Sequence, residues 1–220
     1  MAGRIETEGD AARFLRSVKF ALRYNPTPGL PLASMYAAVP DQRRAIELTN
    51  ALLASGEAVE TNVVADRLVL AHRDIVPTLY ALRCRFRADE AAGTAARVLE
   101  LIRKEGSATA GDARRFLGVA GAKRPDAADL ALAELMRDLR IDRGPSSVPA
   151  SGMPYLSREG YPYRIFETAH PELVKKAAKT KVADAIAAIV AAFDSVPPKK
   201  IASMFRLCFG EEEMRGLRAR

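Results

Sequence analysis

The chain has 220 residues, 49% of them hydrophobic, with a formal charge of +7 at pH 7. That length allows one large domain or two to three small ones, and the apolar fraction excludes wholesale disorder. Aromatics are scarce at 6%, and the positive balance points to a polyanionic partner, nucleic acid before membrane, against the alternative of a surplus serving solubility alone.

The N-terminal stretch "MAGRIETEGDAARF" is charged and has no apolar h-region, so no secretory signal is expected. In "GDAARFLRSVKFALRYN" the spacing of Phe14, Leu15, Val18 and Leu22 predicts an amphipathic helix with Asp10 as its cap. "PTPGLP" stops it, because proline cannot donate and glycine frees the backbone. A short helical piece, "LASMYAAV", precedes a longer helix in "DQRRAIELTNALLASG", with Ile46, Thr49, Leu52 and Leu53 on one face and Gly56 at its end. "AVETNVVADRLVLAHRD" then changes period and reads as two strands around Ala65–Asp66, with a helical tail as the alternative. A link, "DIVPTLYALRCRFR", is helical after Pro77, apolar along Leu79, Leu82 and Phe86 and basic along Arg83, Arg85 and Arg87.

A second segment repeats the order. "AARVLELIRKEG" is a helix ending at Gly106, and "SATAGDARRFLG" a short one with Thr109 as cap, Asp112 three residues on, and Arg114 and Arg115 facing out. "PDAADLALAELMRDL" carries an apolar stripe of Ala128, Leu132, Leu135, Met136 and Leu139. "RIDRGPSSVPASGMPYLSREGYPYRIFE" has strand-like ends and a tip at "SREG", so three helices are followed by a hairpin, which is the order of a winged helix.

In a third segment "HPELVKKAAKTKVADAIAAIVAAFDS" reads as one long helix, basic first and apolar later; its apolar run, 182–193, is interrupted by Asp184 and too short to span a bilayer. Two short helices broken at Gly210 follow. The expected fold is therefore mainly α with short β-hairpins (α+β), as tandem winged-helix or helix-turn-helix units. Their expected bounds are 1–90, 91–168 and a helical 169–220.

Candidate nucleic-acid contacts follow from that order. Lys123 and Arg124 precede the third helix of the middle unit, whose first turn lies nearest the bases in a helix-turn-helix. The same helix bears Asp126, Asp129, Glu134 and Asp138, and carboxylates facing phosphate are costly, so it is a poor sequence reader. The wing offers more: Arg143, Arg158 and Arg164, with Tyr155, Tyr161 and Tyr163 between, combine charge for phosphates with rings able to stack. The alternative is that the tyrosines pack the hairpin onto the helices. Lys175, Lys176 and Lys179, with Lys181 beside them, group like charges that phosphate would neutralise or that solvent simply covers.

Enzyme chemistry is thin. Cys84 and Cys208 are far apart, and neither they nor His72 and His170 have metal-ligand spacing, so no disulfide, zinc or cofactor is expected and the expected compartment is the cytoplasm. "HRD" lacks the other kinase motifs and "GVAG" lacks the end of a P-loop.

"FLRSVKFALRYNPTPGLPLASMY" and "LVLAHRDIVPTLYALR" resemble segments of bacterial proteins related to the AlkZ-type DNA glycosylases, and 94–166 resembles that family in order and spacing. The resemblance implies tandem winged helices wrapped around damaged duplex DNA. The family's catalytic Gln-x-Gln pair is missing: the single glutamine is Gln42, in "PDQRRA", and Arg44 stands where the second would be. No catalytic residue carries over. The expected function is a double-stranded DNA binder using backbone contacts; a glycosylase with an altered catalytic residue and a winged-helix module that binds protein are the alternatives.

Overall fold

The computed structural model describes residues 5–119, 125–146, 161–193 and 196–206. Helix α1 (Glu8–Val18) starts at Thr7, whose hydroxyl accepts from the Asp10 amide while the Asp10 carboxylate accepts from the Thr7 amide, 3.0 Å away. Asp10 is thus the third residue of a capping box rather than the cap itself, because both ends of the box need an oxygen acceptor. Strands β1 (Phe20–Leu22) and β2 (Ala33–Ser34) flank the Pro-rich loop, and helices α2 (Met35–Ala38) and α3 (Gln42–Ala54) follow. Strands β3 (Ala58–Val64) and β4 (Arg67–His72) form the expected hairpin, turning at Ala65 and Asp66 with φ of 49° and 53°.

Helix α4 (Val76–Phe86) leads to a second run that keeps this order with one strand fewer before its second helix. It comprises α5 (Gly93–Glu105), β5 (Ser107–Ala108), α6 (Ala110–Leu117), α7 (Ala127–Arg137), β6 (Ile141–Arg143) and β7 (Tyr163–Ile165). The fold is α+β. Its four-stranded sheet runs β2-β1-β4-β3 and its three-stranded sheet β5-β7-β6. The middle core is the apolar stripe of α7 closed against Val98, Ile102 and Ala113 of α5 and α6.

The third segment differs from the single long helix expected. Short helices α8 (Phe166–Ala169) and α9 (Pro171–Ala177) come first, then α10 (Val182–Ala191) and α11 (Pro198–Phe205). Between α9 and α10 the chain tightens: the amides of Lys179 and Thr180 donate three residues back, to Lys176 and Ala177, and the Thr180 hydroxyl donates to the Lys176 carbonyl. Such bonds end a helix instead of extending it.

The four-stranded sheet is buried on both faces, and side chains alternate between them. Ala21, Ala58 and Leu70 point to a core with α1 and α3. Phe20, Leu22, Val59, Val69 and Ala71 point the other way, into the largest core, shared with α4, α10 and α11. There Phe20 meets Phe193 and Phe205, each at 5.5 Å between ring centroids. Residues from 1–90 and from 169–220 thus close one core. Arg83, expected on a basic face of α4, is buried in that region and donates to the Phe205 carbonyl at 2.6 Å. Among the described residues no helix is long and apolar enough to cross a membrane.

Candidate functional site

Strand β3 is the seam between the two repeated runs, packing against β4 on one side and against α7 and β6 on the other. Its one charged residue, Glu60, is enclosed there. Arg23, just past β1, donates to both Glu60 oxygens at 2.8 and 2.9 Å, and Arg143 of β6 donates through Nε at 2.6 Å. Arg23 also donates to the Tyr161 hydroxyl, and both guanidiniums lie over the Tyr161 ring, Arg23 at 4.6 Å and Arg143 at 4.3 Å from its centroid. Arg23, Glu60 and Arg143 are all at most 2% exposed.

Arg143 therefore does not lie on the surface, where its place in the hairpin had suggested it would be. The buried carboxylate of Glu60 would be prohibitively costly without cations, and Arg143 and Arg23 supply them. Tyr161 and Tyr163 are buried with them. Sequence reasoning misses Arg23 and Glu60; the available signal is one carboxylate in an otherwise uncharged strand, "AVETNVV". Burial pushes the Glu60 carboxyl up, but Arg143 and Arg23 outweigh it and hold the carboxyl below its ordinary value. Burial raises the Tyr161 and Tyr163 phenols despite the opposing pull of the arginines.

Arg164, on β7, donates to Asp142 at 3.2 and 2.6 Å and is one-third exposed. Its guanidinium lies so close over Gly144 that a Cβ there would come within 3.0 Å of Nε. His170 Nε2 meets the same carboxylate at 2.8 Å, which ties the entrance of α9 to β6. Arg164 thus serves Asp142, which is 1% exposed, before any outside ligand.

Lys175 and Lys176 are exposed at the end of α9, while Lys179 is exposed in the turn beyond it. The three do not share one helix. Lys123, Arg124, Tyr155 and Arg158 lie outside the described residues. Two of the four acids expected on the open face of α7 are committed elsewhere: Asp126 caps the helix by accepting from Asp129, and Arg114 donates to Asp126 at 2.7 Å and to Asp129 at 2.5 Å. Arg114, expected outside, is consequently buried. Gln42 is exposed on the first turn of α3, and Arg44 donates to Glu47 and to the Glu6 carbonyl.

A cavity of about 520 Å³ opens beside the buried cluster, between the β3–β4 hairpin and α7. Arg143, Asn62 and Tyr163 line its inner part, and Tyr24, Arg67 and Leu130 are exposed around it. Among the described residues no group of three His, Cys, Asp or Glu side chains is placed to hold a metal ion. Comparison of the chain with protein-family models, curated proteins and solved structures found no match.

Proposed function

We propose that the protein binds double-stranded DNA without sequence preference, its two repeated runs acting as tandem winged-helix units and its affinity coming from phosphate contacts. The observation that carries this reading is the distribution of free cations. Lys175, Lys176, Lys179, Lys181, Lys199 and Lys200 are all exposed on the C-terminal helical segment, and none forms an ion pair among the described residues. The arginines at the seam are instead consumed internally, by Glu60, Asp142, Asp126 and Asp129. A set of uncompensated ammonium groups suits a phosphate backbone, which takes point charges without reading bases.

The resemblance to AlkZ-type proteins agrees with duplex DNA as ligand and with DNA damage as its setting. Their chemistry is not part of the reading, since Arg44 replaces the second glutamine and is bound to Glu47. Lys123, Arg124, Tyr155 and Arg158 belong to the proposed surface, with Arg164 in a supporting place; Arg143 does not.

Fluorescence anisotropy with a labelled duplex tests this. Affinity should fall steeply with salt. Replacing Lys175, Lys176 and Lys179 together by alanine should make the slope of log K against log salt shallower by about 2 to 3, at roughly 0.9 for each phosphate no longer neutralised. Failure to bind any duplex at low salt removes the reading. It leaves the protein-binding alternative.

A further inference from the structure

The cavity between the β3–β4 hairpin and α7 opens through an apolar mouth. Leu130 and Ala133, one turn apart on α7, line it together with Leu68 of β4 and Tyr24. Leu130 is 59% exposed and Tyr24 36%, two of the three large hydrophobic residues left so open among the described residues. Exposed apolar side chains gathered at one opening mark an interaction surface, whereas scattered ones need no explanation.

The end of α11 delivers the chain to this opening. The Ala65 amide donates to the Met204 carbonyl at 2.6 Å, and Arg206 donates to Asp66, which itself lines the cavity. Residues 207–220, outside the described residues, therefore set out from the cavity rim. They begin with Leu207, Cys208, Phe209 and Gly210, followed by Glu211, Glu212 and Glu213. Three residues of chain span at most about 11 Å, which holds Phe209 close to that rim. The rim is positive on the hairpin side. Arg67 is exposed with no ion pair among the described residues, and Asp66 is shared by Arg137 and Arg206. Asp129, the other acid on the wall, is held by Arg114.

We propose that residues 207–213 of this same chain dock in the opening. Leu207 and Phe209 cover Leu130, Ala133 and Tyr24, and the glutamates that follow pair with Arg67. An apolar pair meets an apolar mouth and an acidic run meets a basic rim, both within a segment already fastened beside them. That fastening favours this occupant over a free peptide, because a short tether supplies an effective concentration on the order of millimolar. The lining comes from both repeated runs, Tyr24 and Leu68 from the first and Leu130 and Ala133 from the second, so the docked segment clasps them together. None of this depends on DNA binding.

The chain has no tryptophan, so Phe209→Trp in the full chain provides a single fluorescent reporter on the segment. Its emission should be blue-shifted and poorly quenched by acrylamide, independently of protein concentration. Adding Leu130→Glu, at an exposed position that leaves the circular dichroism spectrum unchanged, should raise the quenching constant by about threefold and shift emission to the red. Arg67→Glu should act in the same direction, and replacing Glu211, Glu212 and Glu213 by lysine in that variant should restore protection. A reporter as open to quencher as free tryptophan overturns the proposal and leaves the groove to a foreign partner. Protection that grows with protein concentration overturns it in favour of a second copy of the chain. Protection that survives both Leu130→Glu and Arg67→Glu in folded chains places the segment elsewhere and overturns it too.

Discussion

Glu60 shows how a single side chain can dictate the partners of its neighbours. Fully enclosed, it holds two arginines that belong to different runs of the chain, and the three together have more positive than negative charge. Glu60→Gln would leave both guanidiniums buried with no counter-charge, and removal of one partner from such a group costs about 3–5 kcal/mol. Urea unfolding at pH 7 should show a loss of that size. The pH dependence has a definite sign. The folded carboxyl titrates below its unfolded value, so the stabilisation is present above the unfolded value near 4.5 and is lost as pH falls through the folded one. The acid limb of the stability curve should flatten in Glu60→Gln. Period-two alternation places Glu60 with Ala58 and Asn62, opposite Val59 and Val63, and a strand of that kind reads as half solvated. Which second layer covers the polar side is a tertiary fact, and neither strand spacing nor composition encodes it. Arg143 escapes sequence reasoning for the same cause, its buried acceptor lying 83 residues away along the chain.

Among the elements, the β3–β4 hairpin is legible because Ala65 and Asp66 separate two short Val- and Leu-containing runs of strand length, and the Thr109–Asp112 capping box because four adjacent residues contain it whole. The separation of α9 from α10 is not, since the break rests on three local bonds with no proline or glycine to announce it. The hairpin turn itself carries a cost. Two-residue hairpins favour a backbone with positive φ at both central positions, which side-chain-bearing residues adopt reluctantly. Ala65 tolerates φ of 49° with its amide donating to the Met204 carbonyl at 2.6 Å. Ala65→Gly keeps that amide and relieves the steric penalty, so thermal unfolding should report a gain of about 1 kcal/mol. A loss would show that the Ala65 methyl contributes packing that outweighs its conformation.

For the whole molecule, the largest core sets the unit of folding. Its sheet face is covered only when α10 and α11 deliver Phe193, Ile201 and Phe205 onto Phe20 and Val63. A chain ending at residue 168 retains both sheets but leaves that face open, and apolar patches of this kind drive association. Such a truncation should bind a hydrophobic dye, elute as aggregates in gel filtration and lack a cooperative thermal transition. A monodisperse, cooperatively melting 1–168 fragment would show that 169–220 is an independent unit. The boundary at 168/169 rests on composition, where a basic helix start looks like a new beginning. Burial follows contacts, and these return to the first strands.

Ala65 and Asp66 meet the C-terminal segment directly, the first through Met204 and the second through Arg206, which also shares Asp66 with Arg137 of the middle run. During vectorial synthesis the hairpin emerges about 140 residues before those partners, an interval on the order of ten seconds at ordinary translation rates. Throughout it the nascent sheet presents Phe20, Val59 and Val69 to whatever is nearby. The contacts at the tip of this two-residue turn thus close only when the last described helix arrives to cover that face.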